Sequence, residues 1–377
     1  MTADAPRILL SAGEPSGDLH GAALARELKR RWPNARLYGF GGDLMKAAGV
    51  ELWAHADQMA VMGFVEVARQ LPFFLSLLWK TRDDLRADPP DLIIPIDYPG
   101  FNLRLARYAK ELRLPVLYYI APQVWAWHRS RMAELARNAD HLAVVLPFEE
   151  KLFREAGATV TFVGHPLLDA PASQQTRASF CAAHSLDPAR KIVALLPGSR
   201  QQEIRNHASL FAEAARLLER EIPEAQAVVA QAPGIAGDAF ADARLPVVRN
   251  SADLLAFAHA ALTKSGTSTL ECALSITPMV IAYRMNPISY FIARNVVEVE
   301  HIGLVNLIAG ERVAPEFVQD DAMPEVLAKA LADIVRDGPA REKQLEALRG
   351  VRQLLAGDAR GAAVHVADIV SDLLARA

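Results

Sequence analysis

The sequence predicts an α/β protein made of two doubly wound, Rossmann-like domains facing across a cleft, with a helical C-terminal tail. Three observations predict it. Short apolar runs alternate with longer segments of helical periodicity, the βαβ pattern of a parallel sheet with helices on both faces. The pattern runs once to Val163-Gly164-His165-Pro166 and restarts at Lys191. A length of 377 residues suits two domains.

The elements follow in order. A strand at Arg7–Ser11 leads through a glycine-containing turn into a helix from Leu19 to Arg31, where Leu24 and Leu28 recur at helical spacing. Strands are expected at Arg36–Phe40 and at Asp91–Ile96, the latter bracketed by Pro89, Pro90 and Pro99. A helix over Phe101–Leu112 precedes strands at Pro115–Ile120 and His141–Leu146. The polar, small-residue stretch Ala170 to Arg177 reads as a linker. The second half offers strands at Lys191–Leu196, Ala225–Ala230, Pro246–Val248, Ala260–Thr263 and Met279–Ala282, with helices around Ile204–Glu221 and from Thr267. From Met323 onward the chain is helical in pattern. The expected domains are 1–168, 169–340 and a tail at 341–377, which crosses back to the first domain or reaches a partner subunit in a homodimer. Open α/β sheets bind ligands beyond the carboxyl ends of their strands, so the site is expected in the cleft.

Composition narrows the function. Apolar residues make up 51% and charged residues 23%, an ordinary globular balance. A net charge of −3 gives no electrostatic reason to expect nucleic acid. The cysteines, Cys181 and Cys272, are too few for a disulfide framework and lack metal-ligand spacing, which suits a reducing cytoplasm. Met1 to Arg7 contains no apolar signal core, and no run reaches the roughly 20 apolar residues that span a bilayer. Met59 to Trp79 comes nearest, but Glu66, Arg69, Gln70 and Pro72 interrupt it. Its large apolar groups, Met62, Phe64, Phe73, Leu77, Leu78 and Trp79, are flanked by Arg69, Lys80 and Arg82. That pattern suits a surface docked on anionic lipid, and equally an internal helix packed on a sheet.

Five segments carry candidate chemistry. Lys264-Ser265-Gly266-Thr267-Ser268-Thr269-Leu270-Glu271 follows an apolar strand and opens a helix. A glycine turn at a helix start binds phosphate well, and Glu271 is placed for ribose hydroxyls; a capping box with Thr267 or Ser268 as N-cap is an equal alternative. Leu196-Pro197-Gly198-Ser199-Arg200 is a second strand-to-helix turn, and Arg200 is either a phosphate fork or an exposed turn residue. Gly13-Glu14-Pro15-Ser16-Gly17-Asp18 ends the first strand; its carboxylates would repel a diphosphate, so Glu14, Ser16 and Asp18 suit an acceptor side or N-capping. Asp97, in Pro95-Ile96-Asp97-Tyr98-Pro99-Gly100-Phe101-Asn102, ends an apolar strand and is either a general base or a helix cap. The aromatic run Tyr118 to Trp127 lines an acceptor pocket or is core. Asp-x-Asp, His-Glu-x-x-His and Gly-x-Ser-x-Gly motifs are missing, so neither a metal nor a cofactor is expected.

Together these blocks resemble the lipid-A-disaccharide synthase family, glycosyltransferase family 19. Met62-Gly63-Phe64-Val65-Glu66-Val67, Val163-Gly164-His165-Pro166, Leu304-Val305-Asn306-Leu307-Ile308 and Pro315-Glu316-Phe317-Val318-Gln319 join the segments above, in family order from residue 8 to about 320. The resemblance implies a GT-B fold and an inverting hexosyltransferase of lipid A biosynthesis. The donor would be UDP-2,3-diacylglucosamine and the acceptor 2,3-diacylglucosamine 1-phosphate, handled at the inner face of a Gram-negative inner membrane by a peripheral protein. It further implies Asp97 as base, Gly198, Arg200, Ser265, Gly266 and Thr267 at the phosphates, Glu271 at the ribose, and Asn306 and Gln319 facing the nucleotide. The rival readings are a UDP-N-acetylglucosamine 2-epimerase, a transferase with an undecaprenyl-linked acceptor, and a non-catalytic nucleotide-sugar-binding protein.

Overall fold

The computed structural model describes residues 5–59, 64–126, 129–169, 173–232, 235, 240, 245–286, 290, 300–357 and 360–376, with backbone alone at 64–73, 126, 129 and 130. Two compact units divide the chain: Met1–Asp169 with Leu355–Ala377, and Ala170–Leu354.

Unit 1 holds β1 (Arg7–Ser11), β2 (Arg36–Gly41), β3 (Glu51–His55), β4 (Leu92–Pro95), β5 (Leu117–Tyr119), β6 (His141–Val144) and β7 (Val160–Phe162). They form parallel sheets of order β3-β2-β1-β4 and β5-β6-β7. Parallel bridges Ile93↔Val116 and Ile96↔Tyr119 tie β4 to β5. The inner strands carry continuous apolar centres, as sheets covered on both faces require: Ile8, Leu9, Leu10, Leu92, Ile93 and Ile94 are fully buried. The helix Pro15–Arg31 starts on its proline, whose fixed φ suits a first helical position, and buries Leu24 and Leu28. The C-terminal helix Ala362–Arg376 buries Val366, Ala367 and Val370. It is tied to Pro15–Arg31 by Arg31, which pairs with Asp368 at 2.6 Å and donates to the Val364 carbonyl at 3.0 Å.

Unit 2 holds β8 (Lys191–Leu196), β9 (Ala225–Ala230), β10 (Val247–Val248), β11 (Ala260–Lys264), β12 (Met279–Tyr283) and β13 (Glu316–Val318). All pair in parallel in the order β10-β9-β8-β11-β12-β13. The amphipathic helix Gln201–Glu221 lays Leu210, Phe211, Ala214 and Leu218 on this sheet. The helix Pro324–Val335 adds Leu327, Leu331 and Val335 to the same core.

The long helix Phe64–Ala87 lies in the segment expected to meet lipid. Met62 lies outside the described residues, as do the side chains of Phe64 and Phe73. Leu78 corrects the expectation: it is only 3% exposed and packs inward. Leu77 is half-buried and lines a cavity of about 340 Å³ with Tyr38, Phe40 and Trp53. Trp79 does face out, at 61% exposure, with Leu75 exposed on the same helix. No helix among the described residues is long and apolar enough to cross a membrane.

Candidate functional site

In each unit the strand order reverses its winding at one point, between β1 and β4 in unit 1 and between β8 and β11 in unit 2. Such switch points are where open α/β sheets bind ligands, because the chain leaves neighbouring strands in opposite directions and opens a crevice.

In unit 1 the turn after β4 carries Asp97. Asp97 and Tyr98 both take left-handed backbone, with φ of 47° and 49°. For non-glycine residues this costs on the order of 1–3 kcal/mol each, so the surroundings must impose it. The fully buried Asn102 does so: its Nδ2 donates to the carbonyls of Ser11 at 3.0 Å, Ile96 at 3.1 Å and Asp97 at 2.8 Å, while its Oδ1 accepts from Ser11 Oγ at 2.6 Å. The Tyr118 hydroxyl donates to the same Asp97 carbonyl at 2.8 Å, and the Asp97 amide donates to Tyr119 at 3.0 Å. The next helix, Pro99–Glu111, has Tyr98 as N-cap with no side-chain bond, so Asp97 is not its cap.

The turn after β1 lies against this one. A Cβ on Gly13 would fall 2.3 Å from the Tyr98 ring, so glycine alone permits the approach. Burial, aided by the Glu14 charge, pushes the Tyr98 hydroxyl up to about 12, and it donates to Met59 at 2.6 Å. Glu14 is half-buried and Ser16 exposed. Asp18 departs from the expected acceptor-side role. It is buried, and its carboxylate accepts from the amides of Gly42 (2.8 Å), Leu44 (3.1 Å) and Met45 (2.9 Å). Those are the orphan donors at the start of the helix Asp43–Ala47, so Asp18 caps that helix from a distant turn.

Unit 2 places its two glycine turns side by side, because β8 and β11 are neighbours with Leu196 opposite Thr263. Gly198 and Gly266 have φ of +137° and +129°, backbone that an L side chain resists. Gly266 is the N-cap of the helix Thr267–Leu274, and no side chain caps that start. Thr267 is exposed and Ser265 half-buried, the latter donating Oγ to the Ile302 carbonyl at 2.5 Å. The capping-box alternative fails, because Glu271 accepts from Ser251 Oγ at 2.7 Å instead. Burial raises the Glu271 carboxyl, opposed by the Ser251 bond and by Lys264. Arg200 is exposed at the head of the helix Gln201–Glu221.

Asn306 and Gln319 do not extend this group. Asn306 is wholly buried; its Nδ2 donates to Ala314 and to Glu316 Oε1, both at 2.8 Å, and its Oδ1 accepts from the Ala314 amide at 2.9 Å. Gln319 clamps Met285, accepting from its amide at 2.8 Å and donating to its carbonyl at 3.1 Å. The buried Asn306 is spent on scaffolding, which corrects the expectation that it faces a nucleotide; Gln319 is half-buried and braces Met285.

Comparison with known proteins decides the family. The family profile described as lipid-A-disaccharide synthetase matches residues 8–370. The lipid-A-disaccharide synthase of Coxiella burnetii (strain Dugway 5J108-111) is 40% identical over 371 residues, covering 97% of this chain and 98% of its own. The chain belongs to the lipid-A-disaccharide synthase family. It is thus a glycosyltransferase, with lipid-A-disaccharide synthase activity in lipid A biosynthesis. Solved structures confirm the GT-B-like fold. The calicheamicin glycosyltransferase CalG4 superposes with a TM-score of 0.64 at 18% identity, covering 99% of both chains. A UDP-GlcNAc 2-epimerase from Neisseria meningitidis bound to UDP-GlcNAc gives 0.65 at 9% identity, covering 97% of this chain and 100% of that one.

Family membership gives interest to residues that sequence reasoning passed over. Glu149 is buried, and accepts from Trp125 Nε1 at 2.9 Å and from the Leu146 amide at 3.1 Å. Burial pushes its carboxyl up to about 7; the Trp125 and backbone bonds oppose this, and the Asp97 charge adds to it. Glu203 accepts from Lys264 Nζ at 2.9 Å and from the Ser199 amide at 2.9 Å, joining the two glycine turns. The helical position of Glu203, three residues after Arg200, was a visible capping signal; its pairing with Lys264 across 61 residues was not.

Proposed function

We propose that the chain transfers 2,3-diacylglucosamine from UDP-2,3-diacylglucosamine to the 6-hydroxyl of 2,3-diacylglucosamine 1-phosphate, giving the β-1,6-linked disaccharide 1-phosphate and UDP. The observation that carries this reading is the constrained Asp97, held in left-handed backbone by Asn102 and Tyr118 at a switch point. A general base must be held in a set direction within hydrogen-bond reach of its proton, and a doubly clamped turn supplies that direction.

The reaction is a single inverting displacement. The acceptor 6-oxygen bonds to the donor's anomeric carbon as the bond from that carbon to the UDP oxygen breaks. The hydroxyl proton passes to the Asp97 carboxylate, and the bonding pair leaves on UDP. Arg200, Gly198, Ser265, Gly266 and Thr267 are assigned to the diphosphate. There the open helix start and the guanidinium offset the leaving charge. Glu271 is assigned to the ribose, and Glu14 and Ser16 to the acceptor side.

Acylated substrates bring the protein to a lipid surface, and we assign it peripherally to the inner face of the inner membrane, through the helix Phe64–Ala87. The exposed Trp79 and Leu75 support that choice. Each 100 Å² of apolar surface removed from water contributes roughly 2.5 kcal/mol, enough for reversible docking.

The test is direct. Protein in detergent micelles is incubated with both acylated sugars, and UDP and disaccharide are followed by mass spectrometry. Product from the wild type and almost none from a folded Asp97→Ala variant is the expected result. Undiminished turnover by that variant removes Asp97 from the base role. UDP release without the acylated acceptor points to the epimerase alternative.

A further inference from the structure

Lys264 ends β11, two residues before the helix-opening glycine. Its ammonium lies 2.9 Å from Glu203 Oε1, and both side chains are only 14% exposed. The same Nζ lies 2.9 Å from the point a Cβ on Gly266 would occupy, so the charge rests against the backbone that opens the helix Thr267–Leu274. This is an unfavourable place for a cation, since a helix start carries about half a positive charge and nothing caps this one. The start of the helix Gln201–Glu221, with Arg200 beside it, follows the neighbouring strand. Positive potential from two helix starts, Lys264 and Arg200 therefore converges here.

The carboxylates nearby are committed. Glu203 has both oxygens engaged, Oε1 by Lys264 and Oε2 by the amides of Ser199 at 2.9 Å and Arg200 at 3.3 Å. Burial alone would raise its carboxyl, but the Lys264 charge and bond, helped by Ser199 and Arg200, hold it below the usual range. Glu271 is turned to Ser251. An ammonium has three donors, and Glu203 takes one. Glu203 balances the Lys264 charge, and what is left to meet an anion at the glycine turns is the remaining ammonium donors, Arg200 and the two helix starts.

We propose that Lys264 is a ligand of the donor's diphosphate, and that Glu203 is the positioning residue that holds its ammonium against the Gly266 turn. The assignment rests on the UDP-sugar reading above. It adds a phosphate ligand outside the Ser265-Gly266-Thr267 turn itself, presented from the strand by a partner on the adjacent helix.

Binding of UDP and of uridine separates the roles. Uridine shares the base and ribose but has no phosphate, so a phosphate ligand affects UDP alone, whereas a structural defect weakens both. Lys264→Met is expected to weaken UDP by about ten- to a hundredfold, the range for a lost hydrogen bond to a charged group, and to leave uridine unchanged. Lys264→Arg is expected to recover most of the loss. Because Lys264→Met leaves Glu203 without its partner, the Lys264→Met/Glu203→Gln pair is measured beside it and should show the same UDP-specific loss. Unchanged UDP affinity in the double variant, or equal losses for UDP and uridine, overturns the assignment of Lys264 while leaving the UDP-sugar reading intact. A wild type that fails to bind UDP overturns the UDP-sugar reading and this inference with it.

Discussion

At the residue scale, the proposed base Asp97 sits in a backbone conformation that it would not adopt alone. Asn102, itself fully buried, imposes it through bonds to Ser11, Ile96 and Asp97. Asn102→Ala removes a donor from the carbonyls of Ser11, Ile96 and Asp97; Ser11 keeps the Ile96 amide and Asp97 the Tyr118 hydroxyl, so the cost is about 1–3 kcal/mol for a group left unsatisfied. It should therefore lower the urea midpoint, and in steady-state assays lower kcat more than it raises KM. Asp97→Asn is the complementary test. Asparagine tolerates left-handed backbone, so this variant should fold normally and lose about 10²–10⁴-fold in turnover. Asp97→Val should in addition lose stability, because a β-branched residue resists positive φ.

At the element scale, two strand-to-helix turns and one long helix make separable predictions. A Cβ on Gly198 would meet Glu203 Cβ at 2.5 Å, in backbone at φ +137°. Gly198→Ala should thus displace Glu203, lower the melting temperature and weaken UDP binding in calorimetry. On the helix Phe64–Ala87, replacing the exposed Leu75 and Trp79 with glutamate should reduce co-sedimentation with anionic vesicles while sparing the fold. Leu78→Glu, aimed at a buried site, should instead unfold unit 1. Undiminished vesicle binding by the Leu75/Trp79 variant would end the docking proposal. Most elements were legible in advance because inner strands such as Arg7–Ser11 and Lys191–Leu196 contain unbroken apolar runs, Ile8 to Leu10 and Ile192 to Leu196. Glu51–His55, Val160–Phe162 and Glu316–Val318 were missed. Each is short and only partly buried at a sheet edge, so hydrophobicity barely marks it.

At the scale of the whole molecule, buried ionisable groups set a response to acid. Burial drives His20 down to about 4, His165 to about 3 with the His20 ring adding to it, and His259 to about 4. Their ordinary value is 6.5, so the stability gained by keeping them neutral is complete above pH 6.5. It is lost as pH falls toward their folded values. Glu149 works in the opposite sense. With its carboxyl raised from 4.5 to about 7, its contribution is complete below pH 4.5 and lost as pH rises through 7. Three histidines outweigh one carboxyl, so the unfolding midpoint should fall between pH 7 and pH 5. His165→Gln should flatten that decline if the variant folds, and Glu149→Gln should steepen it. A midpoint that rises on acidification would contradict the balance.

The sequence by itself determined the family, the alternation of strands and helices, and the places where glycine turns leave strands. Those properties are local: a period of two or 3.6, a proline at a helix start, and a glycine where the backbone must take positive φ. Tertiary structure alone decided which polar side chains remain available for chemistry. Asp18 and Asp97 both follow an apolar strand, yet one is consumed by amides 24 to 27 residues away and the other is fixed in a strained turn. Asn306 and Gln319 lost their amides to Ala314, Glu316 and Met285, and Lys264 gained a carboxylate 61 residues earlier. The physical reason is the same in each case. A buried polar group must find a partner, and its partner depends on which strands the sheet order makes neighbours, a property that no local spacing contains.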